Sequence, residues 1–326
     1  METASALAQL NINLFRAGVW KPRTRPGHFE GNGIPALEWL SEVRKTYNLP
    51  VTIEIAEPAH VDEALKHNID VLWIGARTTV NPFQVQSIAE ALKGVNIPVM
   101  VKNPVNPDVD LWLGAIERFE KSGITDIAAI HRGFSGYSSA SGYRNQPNWL
   151  IPIELKRRRP ELTLICDPSH ITGKRENVAE VAQKALDMRF DGLMIECHPN
   201  PENAWSDAAQ QVTPAELKHI LDNLIVRKEF TNDMGTLARL EYMRQLMDSL
   251  DAEIIDLIAK RMEMSEQIGA IKKECNMTVY QPGRWRDIVN TCSLRAAKHS
   301  LSEEFIVDIY EKIHHESIRI QLSVLE

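Results

Sequence analysis

From residue 12 to residue 197 the chain repeats one pattern, a short apolar run rich in β-branched residues followed by a longer amphipathic stretch, and few folds accept it. The runs cover 13–17, 51–55, 71–75, 98–102, 127–131, 162–167 and 192–197, which makes seven expected strands. Continuous apolar runs separated by helices describe parallel strands buried on both faces, so the choice narrows to a doubly wound sheet or a closed barrel. Nearly every run ends in a polar residue followed by a loop, as at Arg16, Lys102, His131, Asp167 and Glu196; in a barrel such strand ends converge on one site. A doubly wound sheet would carry a glycine-rich turn after its first strand, and no G-x-G-x-x-G is present. The full barrel of this class is eight-stranded. Residues 1–9 read as helix, with Leu7 and Leu10 beside Ala4 and Ala6, so the expectation is a barrel lacking its first strand, either open or begun upstream of Met1.

At 326 residues the chain exceeds the usual size of one compact domain, and two cores are expected. A formal net charge of -7 argues against nucleic-acid binding by phosphate neutralisation while leaving room for a local basic pocket. The four cysteines, Cys166, Cys197, Cys275 and Cys292, form no C-x-x-C pair, as expected of a protein in the reducing cytoplasm. No apolar run approaches the roughly 18 residues of a membrane span. The opening Met1-Glu2-Thr3-Ala4-Ser5 has neither the charged start nor the apolar core of a signal peptide, so no membrane partner is expected.

Past Val226 the pattern changes. Residues 227–236 have little periodicity and read as a linker, after which apolar residues recur at helical spacing from Leu240 and Met243 through Ile254 and Leu257 to Ile268 and Ile271. That spacing predicts a helix over 236–274, about 57 Å long at 1.5 Å per residue. A helix of that length needs partners along it, which points to a second subunit and a homodimer. A shorter helix over 284–297 follows, and Ser302 with Glu303 and Glu304 behind it is the N-cap of a last one. The expected organisation is an α/β barrel over 1–226, a linker over 227–236 and an all-α domain of three helices over 237–326.

Carboxylates and phosphates are best held by guanidinium forks and ammonium points, and Arg16, Lys21, Arg23, Arg77, Lys102 and Arg132 all fall at or just past strand ends. Any one of them alone is as readily a solvated loop charge. Six at matching positions describe an anion pocket. His170, Glu196 and Asp207 form a mixed nitrogen and oxygen set suited to a divalent ion. Singly, a histidine after Asp-Pro-Ser is more often a hydrogen-bonding loop residue, and an aspartate after Ser206 more often a helix cap. As ends of adjacent strands, His170 and Glu196 read better as ligands, and the ion would polarise a carbonyl oxygen.

Several strings resemble 3-deoxy-D-arabino-heptulosonate 7-phosphate (DAHP) synthase of the compact bacterial type, over residues 1 to about 226. They are Phe15-Arg16-Ala17-Gly18-Val19-Trp20-Lys21-Pro22-Arg23-Thr24-Arg25-Pro26, Ile74-Gly75-Ala76-Arg77, Val101-Lys102-Asn103-Pro104, His131-Arg132-Gly133, Cys166-Asp167-Pro168-Ser169-His170, and Ile195-Glu196-Cys197-His198-Pro199 through Ala204-Trp205-Ser206-Asp207. The resemblance implies a TIM barrel that condenses phosphoenolpyruvate with erythrose 4-phosphate, using a divalent metal ion (Mn, Zn, Fe or Co). It implies that Arg77, Lys102 and Arg132, helped by Arg16 and Lys21, hold phosphoenolpyruvate. Lys21, Pro22, Arg23 and Thr24 would meet the aldose phosphate, and His170, Glu196 and Asp207 would hold the metal. The family's fourth ligand, a cysteine in a Gly-Pro-Cys-Ser stretch on the first barrel strand, has no counterpart in this sequence.

The helical part resembles the all-helical chorismate mutases over about 237–325, through Met243-Arg244-Gln245-Leu246-Met247-Asp248-Ser249-Leu250-Asp251, Ala259-Lys260-Arg261, Ile271-Lys272-Lys273, Arg284, Glu316-Ser317 and Gln321. The resemblance implies a site between two intertwined subunits, one lending its first arginine. Arg244, Arg261 and Arg284 would bind the two carboxylates of chorismate, with Ser317 nearby, while Lys272 and Gln321 would act on the ether oxygen. Trp285 stands where that family often has an acidic residue. The expectation is therefore a bifunctional enzyme making DAHP and converting chorismate to prephenate. One alternative is an active mutase with an impaired barrel in a regulatory or scaffolding role. Another is a barrel of the related eight-carbon sugar acid (KDO) 8-phosphate synthase, against which Lys21-Pro22-Arg23-Thr24 argues.

Overall fold

The protein is described here from a computed structural model covering residues 1–23, 25–136 and 142–326. It divides into two compact units, Met1–Arg227 and Lys228–Glu326. The first unit holds seven strands, β1 (Phe15–Ala17), β2 (Val51–Ile55), β3 (Val71–Ile74), β4 (Val99–Lys102), β5 (Ile127–His131), β6 (Thr163–Cys166) and β7 (Gly192–Leu193). Its helices are α1 (Glu2–Ala8), α2 (Ile34–Tyr47), α3 (Pro58–Lys66), α4 (Ala76–Thr79), α5 (Pro82–Ala91), α6 (Val109–Lys121), α7 (Leu150–Arg158), α8 (Pro168–Thr172), α9 (Val178–Asp187) and α10 (Pro214–Asn223). All neighbouring strands pair in parallel, in the order β1 to β7.

The sheet curls into a half-barrel whose edges, β1 and β7, are not paired with each other. Six steps of about 4.8 Å would set the edge strands of a flat sheet almost 30 Å apart, yet Arg16 on β1 reaches Glu196, just past β7, at 3.2 Å. Period-two alternation explains what the curl encloses. Trp73, Met100 and Ile130 point inward and form an apolar floor with Leu14, Val71, Ala128, Ile165 and Met194. Two residues further along the same strands stand Arg16, Lys102, Asp167 and Glu196, so the floor carries a polar layer at the C-terminal end. The alternate residues, such as Leu72, Ile74, Val99, Val101 and Cys166, pack outward against the helices in the main core.

His131 obeys the same parity and corrects one reading of the strand ends. It faces outward, fully buried among the rings of Trp112, Phe134, Trp149 and Phe190, and takes no part in the mouth. The last strand is shorter than its apolar run, because only Gly192 and Leu193 pair with β6. Beyond them Cys197 makes a lone parallel bridge to Val212.

A second apolar cluster lies along the seam between the two edges of the sheet. Leu7 of α1 meets Val178, Val212, Leu217 and Ile220, with Leu10, Ile12 and Phe15 from the β1 side and Ile195 and Cys197 from the β7 side. Cys197 thus points away from the pocket that Glu196 faces.

The second unit is α11 (Met234–Glu274), α12 (Pro282–Lys298) and α13 (Glu303–Leu325). Asp233 caps α11 through Thr236 N and Ser302 caps α13 through Phe305 N. At 1.5 Å per residue α11 is about 62 Å long, and its buried residues are only Ser265, Gly269 and Lys272. Gly269 lets α13 come close, since a Cβ there would lie 3.1 Å from Gln321 Cα. Leu250, Ile254 and Leu257, nearer its start, are each more than half exposed. No helix among the described residues is long and apolar enough to cross a membrane.

Candidate active sites

The barrel mouth is built on an indole. Trp73 lies in the floor, with the Arg16 guanidinium and the Lys102 ammonium each 4.6 Å from its ring centroid, a geometry worth about 0.5–2 kcal/mol per cation. Lys102 donates to Asp167 Oδ2 at 2.6 Å, and both are buried. Burial lowers the Lys102 ammonium below its ordinary value against the pull of Asp167. Burial would raise the Asp167 carboxyl, but His170 and Lys102 hold it well below the usual range. Arg132 is held through its backbone N–H, which donates to Asn103 Oδ1 at 2.7 Å, and burial brings its guanidinium down to about 10.

The loop after β1 brings the next cations. Lys21 Nζ donates to Ser206 Oγ at 2.7 Å and lies 3.8 Å from Asp207, while Arg23 donates to Phe29 O at 3.0 Å and to Asp207 at 3.3 Å. Pro22 sits half-buried between them, and Thr24 lies outside the described residues. The loop is clipped by Lys21 N donating to Glu30 O and Gly33 N donating to Val19 O. Arg23 and Arg77, with Arg25, His28, Arg144 and Trp205, line a cavity of about 430 Å³. Arg16, Lys21, Arg23, Lys102 and Arg132 thus share one mouth with Arg77 at its rim.

The three proposed metal ligands do not gather at one point. His170 donates or accepts through Nδ1 with Asp167 at 2.9 Å and presents Nε2 3.9 Å from Glu196 Oε1, an arrangement suited to two donors of one ion. Glu196 is already engaged by Arg16 at 3.2 Å and by Gln210 Nε2 at 2.8 Å. Asp207, at φ 53°, turns to the cations instead and pairs with Arg144 at 2.9 Å as well as with Lys21 and Arg23. Burial would raise its carboxyl, but Arg144 and Lys21 hold it well below the usual range. No three His, Cys, Asp or Glu side chains among the described residues come together to hold a metal ion. As arranged, this set fits two ligands and not a complete centre.

Three residues of the mouth went unread in the sequence. Glu54 is the one charge inside the apolar run of β2, which was the available signal; burial raises its carboxyl, opposed by Lys102 and Arg16. Its Oε1 occupies the space a Cβ on Gly75 would fill. Gln210 is fully buried and bridges Glu196 to Arg144, donating to one at 2.8 Å and accepting from the other at 2.6 Å. Nothing in the local sequence marks Gln210 or Arg144, since only the fold brings them to Glu196 and Asp207.

In the helical unit, Lys272 Nζ donates to Gln321 Oε1 at 2.9 Å and to Val279 O at 2.6 Å. Arg261 Nη1 donates to Ser317 Oγ. Burial lowers the Lys272 ammonium below its ordinary value. Arg284 is exposed on the first turn of α12, next to half-buried Trp285. Arg244 stands apart: its side chain is 69% exposed, near Glu241 of its own helix, and 17 residues of helix set it about 26 Å along the axis from Arg261.

Seven parallel strands curled around a cation-lined mouth define an α/β barrel protein that gathers basic side chains at its strand ends. The chain belongs to the DAHP synthetase I family, whose model matches residues 1–232, and carries a chorismate mutase type II domain over residues 243–322. It is similar to the phospho-2-dehydro-3-deoxyheptonate aldolase of Thermotoga maritima, 30% identical over 224 residues, which are 69% of this chain and 64% of that protein. The chain therefore spans less than two thirds of that relative's length. It is 27% identical over 242 residues to the 2-dehydro-3-deoxyphosphooctonate aldolase of Francisella tularensis subsp. holarctica, covering 69% of this chain and 84% of that one. The crystal structure of the Thermotoga maritima DAHP synthase matches it with a TM-score of 0.61 at 27% identity, over 68% of this chain and 62% of that one. DAHP synthases generally depend on a divalent metal.

Proposed function

We propose that the chain is bifunctional: the barrel condenses phosphoenolpyruvate with erythrose 4-phosphate to DAHP, and the helices rearrange chorismate to prephenate. The observation that carries the first activity is the mouth itself, where Arg16, Lys21, Arg23, Arg77, Lys102, Arg132 and Arg144 face Glu54, Asp167, Glu196 and Asp207. Seven cations against four carboxylates leave an excess suited to two phosphorylated anions. Arg77, Lys102 and Arg132, with Arg16 and Lys21, hold phosphoenolpyruvate, and the segment from Lys21 to Thr24 takes the aldose phosphate. Carbon 3 of phosphoenolpyruvate attacks the aldehyde, water adds at carbon 2, and phosphate leaves. The cations orient both substrates and offset the charge that gathers on the aldehyde oxygen.

The second activity is supported by the pairing of Arg261 with Ser317 and of Lys272 with Gln321 across α11 and α13. Arg261 and Arg284 receive the carboxylates, while Lys272 and Gln321 face the ether oxygen whose charge grows as its bond breaks. Arg244, too far along the helix to join its own chain's site, reaches the site of a second copy. The exposed apolar stretch of α11 is the surface on which that homodimer forms.

For the metal, His170 and Glu196 are the residues best disposed to hold manganese, zinc, iron or cobalt. The position of Asp207 favours the second reading, a working mutase beside an impaired barrel. Both are tested on the whole chain by following phosphoenolpyruvate loss and chorismate loss, after chelation and after adding back Mn²⁺. Synthase turnover restored by the ion supports the first reading. Chorismate consumption with no DAHP under any ion supports the second. Arabinose 5-phosphate turning over faster than erythrose 4-phosphate would assign the barrel to the eight-carbon product.

A further inference from the structure

His314 stands on α13 three residues before Ser317 and seven before Gln321, so the three share one face of the helix. Its ring is stacked on Trp285 of α12, with centroids 4.5 Å apart and planes 14° from parallel, and Tyr280 flanks it at 6.4 Å. The stack fixes the plane of the imidazole. Its Nε2 is buried and has no hydrogen-bond partner. A buried polar atom left unpaired is destabilising, and few are kept without a use. Its neighbours on the same face are already paired, Ser317 with Arg261 and Gln321 with Lys272.

Chemistry narrows what His314 would bind. Burial, Arg261 and Lys272 all lower its pKa, which favours the neutral ring. A neutral imidazole adds little to carboxylate binding beside arginines. It is well matched to a hydroxyl, which can donate or accept to suit either tautomer.

We propose that His314 is a further substrate-binding residue of the mutase site, its Nε2 hydrogen-bonding the ring hydroxyl of chorismate while Trp285 holds the imidazole in place. This rests on the mutase reading given above. The hydroxyl is the polar group of that substrate which the arginines, Lys272 and Gln321 leave unclaimed.

The test compares the whole chain with His314→Phe, which keeps a stacking ring and removes the nitrogen, and His314→Gln, which keeps a polar group near the same place. On chorismate, His314→Phe is expected to lose about 10-fold in kcat/KM, the size of one hydrogen bond to a neutral group, and His314→Gln about 3-fold or less. A diacid inhibitor of the same ring without its hydroxyl should bind the parent chain and His314→Phe equally. Undiminished turnover by His314→Phe overturns the proposal. An equal loss of affinity for both ligands also overturns it, because the role would then be packing. If the parent chain binds chorismate without converting it, the mutase reading fails. The proposal then stands or falls on whether His314→Phe weakens chorismate binding, read by tryptophan fluorescence, by the same 10-fold. A parent chain that does not bind chorismate overturns both.

Discussion

Lys102 and Asp167 are each other's nearest compensation in a place almost closed to water. Removing the cation alone leaves a buried carboxylate that has lost its ion pair and keeps only the weaker support of His170 and Arg16. Lys102→Met should therefore lower the free energy of unfolding by about 3–5 kcal/mol in urea titrations, and Asp167→Asn added to it should recover a good part. Synthase turnover should vanish in both variants, which separates the stability role from substrate binding. His131 sets a different residue-scale expectation. Burial in its ring-lined cage brings the imidazole down to a pKa of about 3, against the opposing pull of the Pro147 backbone. The unfolded chain, with a histidine pKa of about 6.5, takes up a proton that the folded one refuses. Stability from this residue is thus complete above pH about 6.5 and drains away toward pH 3, at about 1.4 kcal/mol per unit. Urea midpoints at pH 7.5 and 5.0 should show the parent chain losing about 2 kcal/mol more than His131→Phe does; equal losses would refute the assignment. Strand-end polarity grouped His131 with Asp167 and Glu196 because residue type carries no direction. Side-chain parity along β5 decides it, and parity depends on the register.

At the scale of elements, the clip that shapes the loop after β1 depends on Gly31. Its φ is +98°, and a Cβ there would lie 2.0 Å from the carbonyl oxygen of Val19. Gly31→Ala should cost more than about 1 kcal/mol and displace Lys21 and Arg23 together. The measurable result is a rise of 10-fold or more in KM for the aldose phosphate, with chorismate turnover unaffected. The helix α10 offers a milder case: Thr213 and Glu216 form a reciprocal capping box, so Thr213→Ala should cost about 1 kcal/mol. Strands β2 to β6 were legible because each is a β-branched run buried on both faces. The last run is longer than the strand, since beyond Leu193 the side chain of Met194 joins the floor, Ile195 and Cys197 pack along the seam, and only a lone bridge at Cys197 continues the pairing. The cation set was legible as residue types at strand ends. The Asp207 contacts were not, because the pull of Arg144 arises only when the loop after β5 meets the segment after β7.

For the whole molecule, the long helix is the feature that calls for company. Leu250, Ile254 and Leu257 are each more than half exposed on α11, and no element of the same unit buries them. With the proposed homodimer formed on this face, Ile254→Glu should convert a dimer to a monomer in sedimentation velocity and cut mutase kcat/KM by 100-fold or more, because Arg244 would no longer reach a second copy. Synthase turnover falling in step with it would show that the barrel also depends on association.

The seam cluster has a consequence for how such a chain reaches its native state. Leu7 and Ile220 belong to one cluster across 213 positions of sequence, and that cluster covers the seam between the edges at β1 and β7. Closing so long a loop adds little extra entropy for each doubling of its length, but it cannot happen early. The curled sheet should therefore be completed last, from its two ends, while the pairing of α11 with α13 spans far less chain and should form without waiting for it. Folding of the two units should separate in time, the helices first and the barrel's closure as the slow step.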